Sequence, residues 1–189
     1  MGTSRKTELA CWWIVTLAMA AGTVYMYMEG KETKGLMGIL TCLCLAAIGL
    51  WQWKSKHAVH SGFMSMTYLF IFVSVGLGTF GGAYSIPHFD DFLHVSSGIW
   101  LGYGAWILLL KLLGRNMADQ LPKHFVALFI ILFAMASAGV WELLEFVGDK
   151  LLHFTAQGRD PDDTMFDMID GLVGGIIAAT WIITRKKDK

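Results

Sequence analysis

The sequence predicts an all-α, polytopic membrane protein with six transmembrane helices in a single domain covering residues 1–189. Two observations support this prediction. Hydrophobic residues make up 55% of the chain and charged residues only 16%, whereas about a quarter of the residues in a soluble domain are usually charged. In addition, the apolar residues fall into six separate segments, each close to the roughly 20 residues that a helix needs to cross a bilayer.

The first three predicted helices are apolar runs separated by short charged connections. They cover residues 9–28, 35–53 and 63–84. Four glycines in the third run would let neighbouring helices pack closely, and these are Gly76, Gly78, Gly81 and Gly82.

The last three predicted helices cover residues 90–113, 125–147 and 163–184, and each begins shortly after a proline. Pro87, Pro122 and Pro161 all lie outside the apolar runs, where a proline interrupts no helix. Because the connections are short, helices that are neighbours in sequence should pack antiparallel.

The distribution of basic residues predicts that both termini face the cytoplasm. Only four of the fifteen Lys and Arg residues fall on the predicted outer side, namely Lys31, Lys34, Lys150 and Arg159. The others lie at the termini or in the connections after the second and fourth helices, as the positive-inside rule requires. An even number of helices also places both termini on one side, so the two arguments agree.

Acidic residues concentrate at the outer ends of the last three helices. Asp91 and His94 share a helix face, since they are three residues apart, and His88 comes just before this helix. Carboxylates follow helical spacing on the other two helices as well. These are Glu142, Glu145 and Asp149 on the fifth and Asp163, Asp167 and Asp170 on the sixth.

These acids require a partner, because several lie inside apolar helices. An unpaired carboxylate within the membrane costs on the order of 3 kcal/mol. A bound divalent metal would neutralise several acids at once, and mixed carboxylate and imidazole ligands favour zinc, manganese or iron. The predicted ligands are His88, Asp91, His94, Glu142, Asp167 and Asp170. A metal-free network that shares protons is the alternative, followed by unconnected charges at the interface.

The same polar residues carry a family resemblance. The run Asp91-Phe92-Leu93-His94, the pair Trp141-Glu142 and the segment from Asp167 to Gly174 resemble the VanZ-like membrane proteins. They look closer still to the YjdF-type proteins of the bacterial inner membrane. The resemblance covers roughly residues 62–184, and it implies an inner-membrane location and a link to the cell envelope without supplying a reaction.

Three functions are compatible with this pattern. The first is a metal-dependent hydrolase of an envelope lipid or amphiphile, with Glu142 or Glu145 as general base and Arg159 holding an anionic headgroup. The second is an ion-coupled or proton-coupled transporter, and the third is a non-catalytic envelope subunit. Membrane lipids are the expected partners, together with a second copy of the chain or a membrane complex. A formal net charge of +0 gives no basic field for nucleic acid.

Overall fold

The computed structural model describes residues 5–55, 59–158 and 162–186, and the described residues are helical with no β-strand. The α-helices are α1 (Arg5–Met28), α2 (Glu32–Lys54), α3 (Ser61–Ile71), α4 (Phe89–Leu113), α5 (Arg115–Gln120), α6 (Lys123–Leu152) and α7 (Asp163–Arg185). Six segments are long and apolar enough to cross a membrane. One of them, Ser61–Phe80, consists of α3 and the π-helix that follows it directly. Helix α5 is too short to cross. The predicted all-α fold with six membrane helices is thereby confirmed.

The chain divides into two compact units, Met1–Pro87 and His88–Lys189. In the first unit, α1 packs against both α2 and α3, around a core that includes the buried side chains of Met19, Leu45 and Tyr68. The indole nitrogen of Trp12 donates a hydrogen bond to the carbonyl oxygen of Leu45 over 2.9 Å. This bond ties α1 to α2 beside the apolar core.

Removal of that bond should cost a modest and measurable amount of stability. We expect Trp12→Phe to lower the free energy of unfolding by about 1 kcal/mol, because the indole donor of a partly buried hydrogen bond is lost. Trp53 on α2 is the matched control, since it is 65% exposed and Trp53→Phe should change little. Thermal unfolding in detergent measures both variants, and equal losses would contradict the role given to the Trp12 bond.

The third membrane segment changes its winding halfway along. The α-helix ends at Ile71, and residues Phe72–Phe80 continue as a π-helix. Gly82 then adopts a left-handed backbone with φ of 77°, which helices of L-residues do not continue through. The helix therefore stops at Phe80, four residues before the end predicted from the apolar pattern.

In the second unit, α4, α6 and α7 pack against one another. Their apolar core lies toward the end of α4 and α7, and it consists of Ala105, Val126, Ile130, Ala178, Ala179 and Ile182. Helix α6 runs to Leu152, five residues beyond its predicted end. The predicted polar cluster lies at the other end of this unit, where α4 and α7 begin and α6 ends.

Candidate metal centre

Small residues bring the three helices of the second unit into close contact near the polar end. Gly98 of α4 lies against the backbone of Gly171 and Gly174 in α7, so that a Cβ on Gly98 would overlap with the carbonyl oxygen of Gly171. Gly171 also faces α6, where an added Cβ would stand 2.7 Å from the methyl group of Ala138. Glycine is needed here because a side chain would separate the helices.

Each of the three helices places one buried ionisable side chain a single turn from this contact. His94 on α4, Glu142 on α6 and Asp167 on α7 each lie four residues from the small residue of their own helix. Side chains four residues apart stand above one another on a helix, so the contact brings all three to one level. Their exposed fractions are only 6%, 4% and 3%.

The imidazole of His94 stands between two carboxylates. Its Nε2 atom lies 3.6 Å from Oδ1 of Asp90 and 3.6 Å from Oδ1 of Asp167, and the three ligand atoms lie within 4.8 Å of one another. These separations are too long for direct hydrogen bonds. They match ligands that share an ion, because bonds of 2.0–2.2 Å in a tetrahedral zinc site place ligand atoms about 3.4 Å apart.

Glu142 on α6 is the third buried ionisable side chain at this depth. Both of its carboxylate oxygens are enclosed, and neither forms a hydrogen bond of good geometry within the described part of the chain, although the side chain of Thr164 lies close enough to interact with them. Its charge interacts with those of His94 and Asp90. A buried carboxylate without hydrogen bonds is costly, so the site must compensate it with a cation or a proton.

Negative charge greatly exceeds positive charge at this level. The charge of Asp163 interacts with those of Asp90, Glu142 and Asp167, and Glu145 adds to the negative field at Asp167. Among the described residues, no Lys or Arg forms a salt bridge with Asp90, Glu142 or Asp167. This excess of negative charge could be compensated by a divalent cation or by bound protons.

The structure brings together some of the predicted ligands and separates others. His94 and Asp167 lie in one group, with Asp90 in the place where Asp91 was expected. Asp91 instead faces His88, whose Nδ1 lies 2.7 Å from Oδ2 of Asp91, and the His88 side chain is 86% exposed. His88 and Asp91 thus form a local pair at the start of α4.

The remaining predicted site residues lie around this group. Asp170 is partly buried, and its charge interacts with Asp91 and His94. Glu145 accepts a hydrogen bond of 2.7 Å from the indole nitrogen of Trp141, whose side chain is 46% exposed. Arg159, the predicted headgroup ligand, lies outside the described residues.

An apolar cavity adjoins Glu142. It has a volume of about 440 Å³, and its wall includes Gly139, Leu143 and Met168. Leu143 is 64% exposed, so the cavity borders the surface that a membrane helix turns toward lipid. Glu142 therefore lies between the polar group and an apolar space open to the bilayer.

Comparison with known proteins identifies a family of predicted membrane proteins. A model of predicted membrane proteins, designated DUF2238, matches residues 10–188. An uncharacterised protein of Thermotoga maritima is 30% identical over 118 residues, which is 62% of this chain and 59% of that protein. The chain thus spans less than two thirds of the length of this relative. No solved structure matches the chain.

Proposed function

We propose that this chain, which belongs to the DUF2238 family of predicted membrane proteins, is a metal-dependent hydrolase of a membrane amphiphile. Asp90, His94 and Asp167 would hold the metal. The observation that carries the proposal is the position of His94 Nε2, 3.6 Å from each of two carboxylates in a buried and strongly acidic environment. A shared cation explains both the spacing and the burial.

The donor set favours particular ions. One imidazole and two carboxylates suit zinc, manganese or ferrous iron, whereas calcium prefers oxygen ligands alone. Three protein ligands also leave coordination positions open for water and substrate, as in catalytic zinc sites. When bound, such an ion supplies Lewis acidity that polarises the substrate and makes water easier to deprotonate.

Glu142 is the residue best placed to move a proton. It lies at the same depth on α6, its oxygens form no hydrogen bond of good geometry among the described residues apart from an interaction with Thr164, and it borders the apolar cavity. As general base it would take a proton from the attacking water. Its burial excludes bulk solvent, which strengthens its interactions with charges in the site.

The apolar cavity supports an amphiphilic substrate. Its volume of about 440 Å³ lies within the range typical of small-ligand sites, and it borders the lipid-facing surface. An acyl or isoprenoid chain could enter it from the bilayer while the polar group of the same molecule meets the metal. The substrate class we propose is therefore an envelope lipid or a similar amphiphile.

The positive-inside distribution supports an arrangement with both termini in the cytoplasm and the metal centre at the outer face of a bacterial inner membrane. The resemblance to VanZ-like and YjdF-type proteins supports the same location. Transport through this unit is less favoured. Among the described residues, the buried positions between the centre and the far end of α4, α6 and α7 are apolar or glycine.

Elemental analysis tests the metal centre directly. We expect about one zinc, manganese or iron atom per chain in protein purified in detergent without chelators. Asp167→Asn should lose this metal, with affinity at least about 100-fold lower, because changes outside the ligand shell already cost about 10–100-fold. Asp170→Asn is the matched control on the same helix and should keep its metal.

Two results would overturn the metal proposal. One is wild-type protein that binds none of the three metals even after reconstitution. The other is an Asp167→Asn variant that keeps its metal as firmly as Asp170→Asn does. Either result would favour a network of shared protons, in a transporter or an envelope subunit.

A further inference from the structure

A second cavity lies at the far end of the same helices. On α7, Asp167 and Arg185 are eighteen residues apart, which corresponds to roughly 27 Å along a helix. That distance is close to the thickness of the hydrocarbon core of a bilayer, about 30 Å. The second cavity therefore lies at the membrane interface opposite the metal centre.

The wall of this cavity combines aromatic and basic side chains. Its volume is about 420 Å³. Three cations and one carboxylate line it together with three large aromatic rings. These residues are Arg115, Asp119, Arg185, Lys186, Tyr103, Trp106 and Trp181. The lining thus carries an excess of positive charge.

Two of the cations are held in place by groups that leave their charge intact. The guanidinium of Arg185 lies 4.4 Å from the centre of the Trp181 ring. Lys186 Nζ donates hydrogen bonds to the carbonyl oxygens of Asp119, at 2.8 Å, and Leu121, at 2.5 Å. No salt bridge neutralises Arg115, Arg185 or Lys186 among the described residues.

Trp181 also contacts Tyr103 edge to face, with ring centres 6.0 Å apart. Basic residues near a cytoplasmic helix end are ordinary in membrane proteins. These basic residues differ from ordinary ones because they line a cavity in which Arg185 stacks on Trp181 and Lys186 is held by hydrogen bonds. Trp and Tyr rings also prefer the level of lipid headgroups.

We propose that this cavity binds a phosphate-bearing anion, carried either by a phospholipid headgroup or by a soluble phosphate compound. Arginine guanidinium groups recognise phosphate oxygens through paired, charge-assisted hydrogen bonds. The cavity is large enough for a phosphoryl group with an attached glycerol. The inference does not depend on the metal centre, because no residue is shared between the two sites.

Native mass spectrometry of the full chain in a neutral detergent tests this site, with short-chain phosphatidylglycerol and inorganic phosphate as probes. The double variant Arg115→Gln, Arg185→Gln should raise the apparent dissociation constant of the bound probe at least about tenfold, since two charge-assisted contacts are lost. The control Lys54→Gln, Lys111→Gln removes the same charge outside the cavity and should change it less than about twofold.

The two probes distinguish the sources of the phosphate. Saturable binding of the lipid, displaced by inorganic phosphate, supports a headgroup site, and binding of inorganic phosphate alone supports a soluble ligand. The proposal is overturned if neither probe binds saturably, or if the two double variants weaken binding equally. Metal content measured on the same samples should be unchanged, so failure here leaves the metal centre untouched.

Discussion

Glu142→Gln should lower turnover by at least about 100-fold while the bound metal stays in place, because general-base catalysis typically contributes 10²–10⁴-fold. Glutamine has nearly the same shape as glutamate but cannot accept the proton of the attacking water. The carboxylate of Glu142 forms no hydrogen bond of good geometry among the described residues, and the amide oxygen of glutamine can keep the interaction that this carboxylate has with the side chain of Thr164. The protein should therefore remain folded and loaded with metal.

Glu145→Gln is the matched control for this experiment. Glu145 is only three residues away, but it accepts a hydrogen bond from Trp141 and belongs to neither the close group of ligands nor the cavity wall. This variant should keep most of the wild-type activity. A large loss in Glu145→Gln with normal turnover in Glu142→Gln would transfer the role of general base to Glu145.

The assay must identify the substrate as well as the base. Vesicles of phosphatidylglycerol and phosphatidylethanolamine that also contain an isoprenyl diphosphate offer carboxylic ester, phosphodiester and diphosphate bonds together. Release of fatty acid shows cleavage of a carboxylic ester, release of glycerol, ethanolamine or their phosphates shows cleavage of a phosphodiester, and release of inorganic phosphate shows cleavage of the diphosphate. Wild-type protein that carries metal but releases none of these products would contradict the proposed hydrolase and leave a metal-stabilised helical bundle.

The membrane helices could be predicted from composition because bilayer thickness sets their length and charged residues mark their ends. Some boundaries could not be predicted, and α6 shows why. Its last turns contain Asp149 and Lys150, which read as a polar connection in the sequence. In the structure, the carboxylate of Asp149 accepts hydrogen bonds from the backbone N–H groups of Ala156 and Gln157. Asp149 therefore lies within α6 and bonds to the loop that follows, and the helix extends to Leu152, beyond its apolar part.

Two of the predicted ligands, His94 and Asp167, lie together in the closely spaced group, and Asp90 is its third member. The choice between Asp90 and Asp91 depends on the rotation of α4, and that rotation is set by its contact with α7. A longer pattern in the sequence indicates that Asp90 lies on the same helix face as His94. Asp90, His94, Gly98 and Gly102 recur every four residues and so share one face. The shorter spacing from Asp91 to His94 favours Asp91 as the ligand, whereas Asp90 is the carboxylate that lies in the closely spaced group.

The close approach of α4 and α7 leads to a second prediction with a large effect. We expect Gly98→Ala to lower the free energy of unfolding by about 3 kcal/mol and to remove the bound metal. Overpacking typically costs 1–3 kcal/mol, and here the new methyl group meets backbone atoms that cannot turn aside. It would overlap with the carbonyl oxygen of Gly171 and stand 3.0 Å from Cα of Gly174.

Gly139→Ala provides the matched control, because it adds the same methyl group to a neighbouring helix. There the nearest atom is Cε of Met168 at 3.7 Å, an ordinary van der Waals distance. Alanine is preferred over glycine in helices by about 1 kcal/mol, so this variant should be equally or more stable and should keep its metal.

Unfolding midpoints and metal content, measured side by side, compare Gly98→Ala with Gly139→Ala. If Gly98→Ala matches Gly139→Ala in both, the glycine contact does not position His94 against Asp167. If only Gly98→Ala loses stability and metal together, the metal centre depends on how closely α4 and α7 approach, one turn away from the ligands.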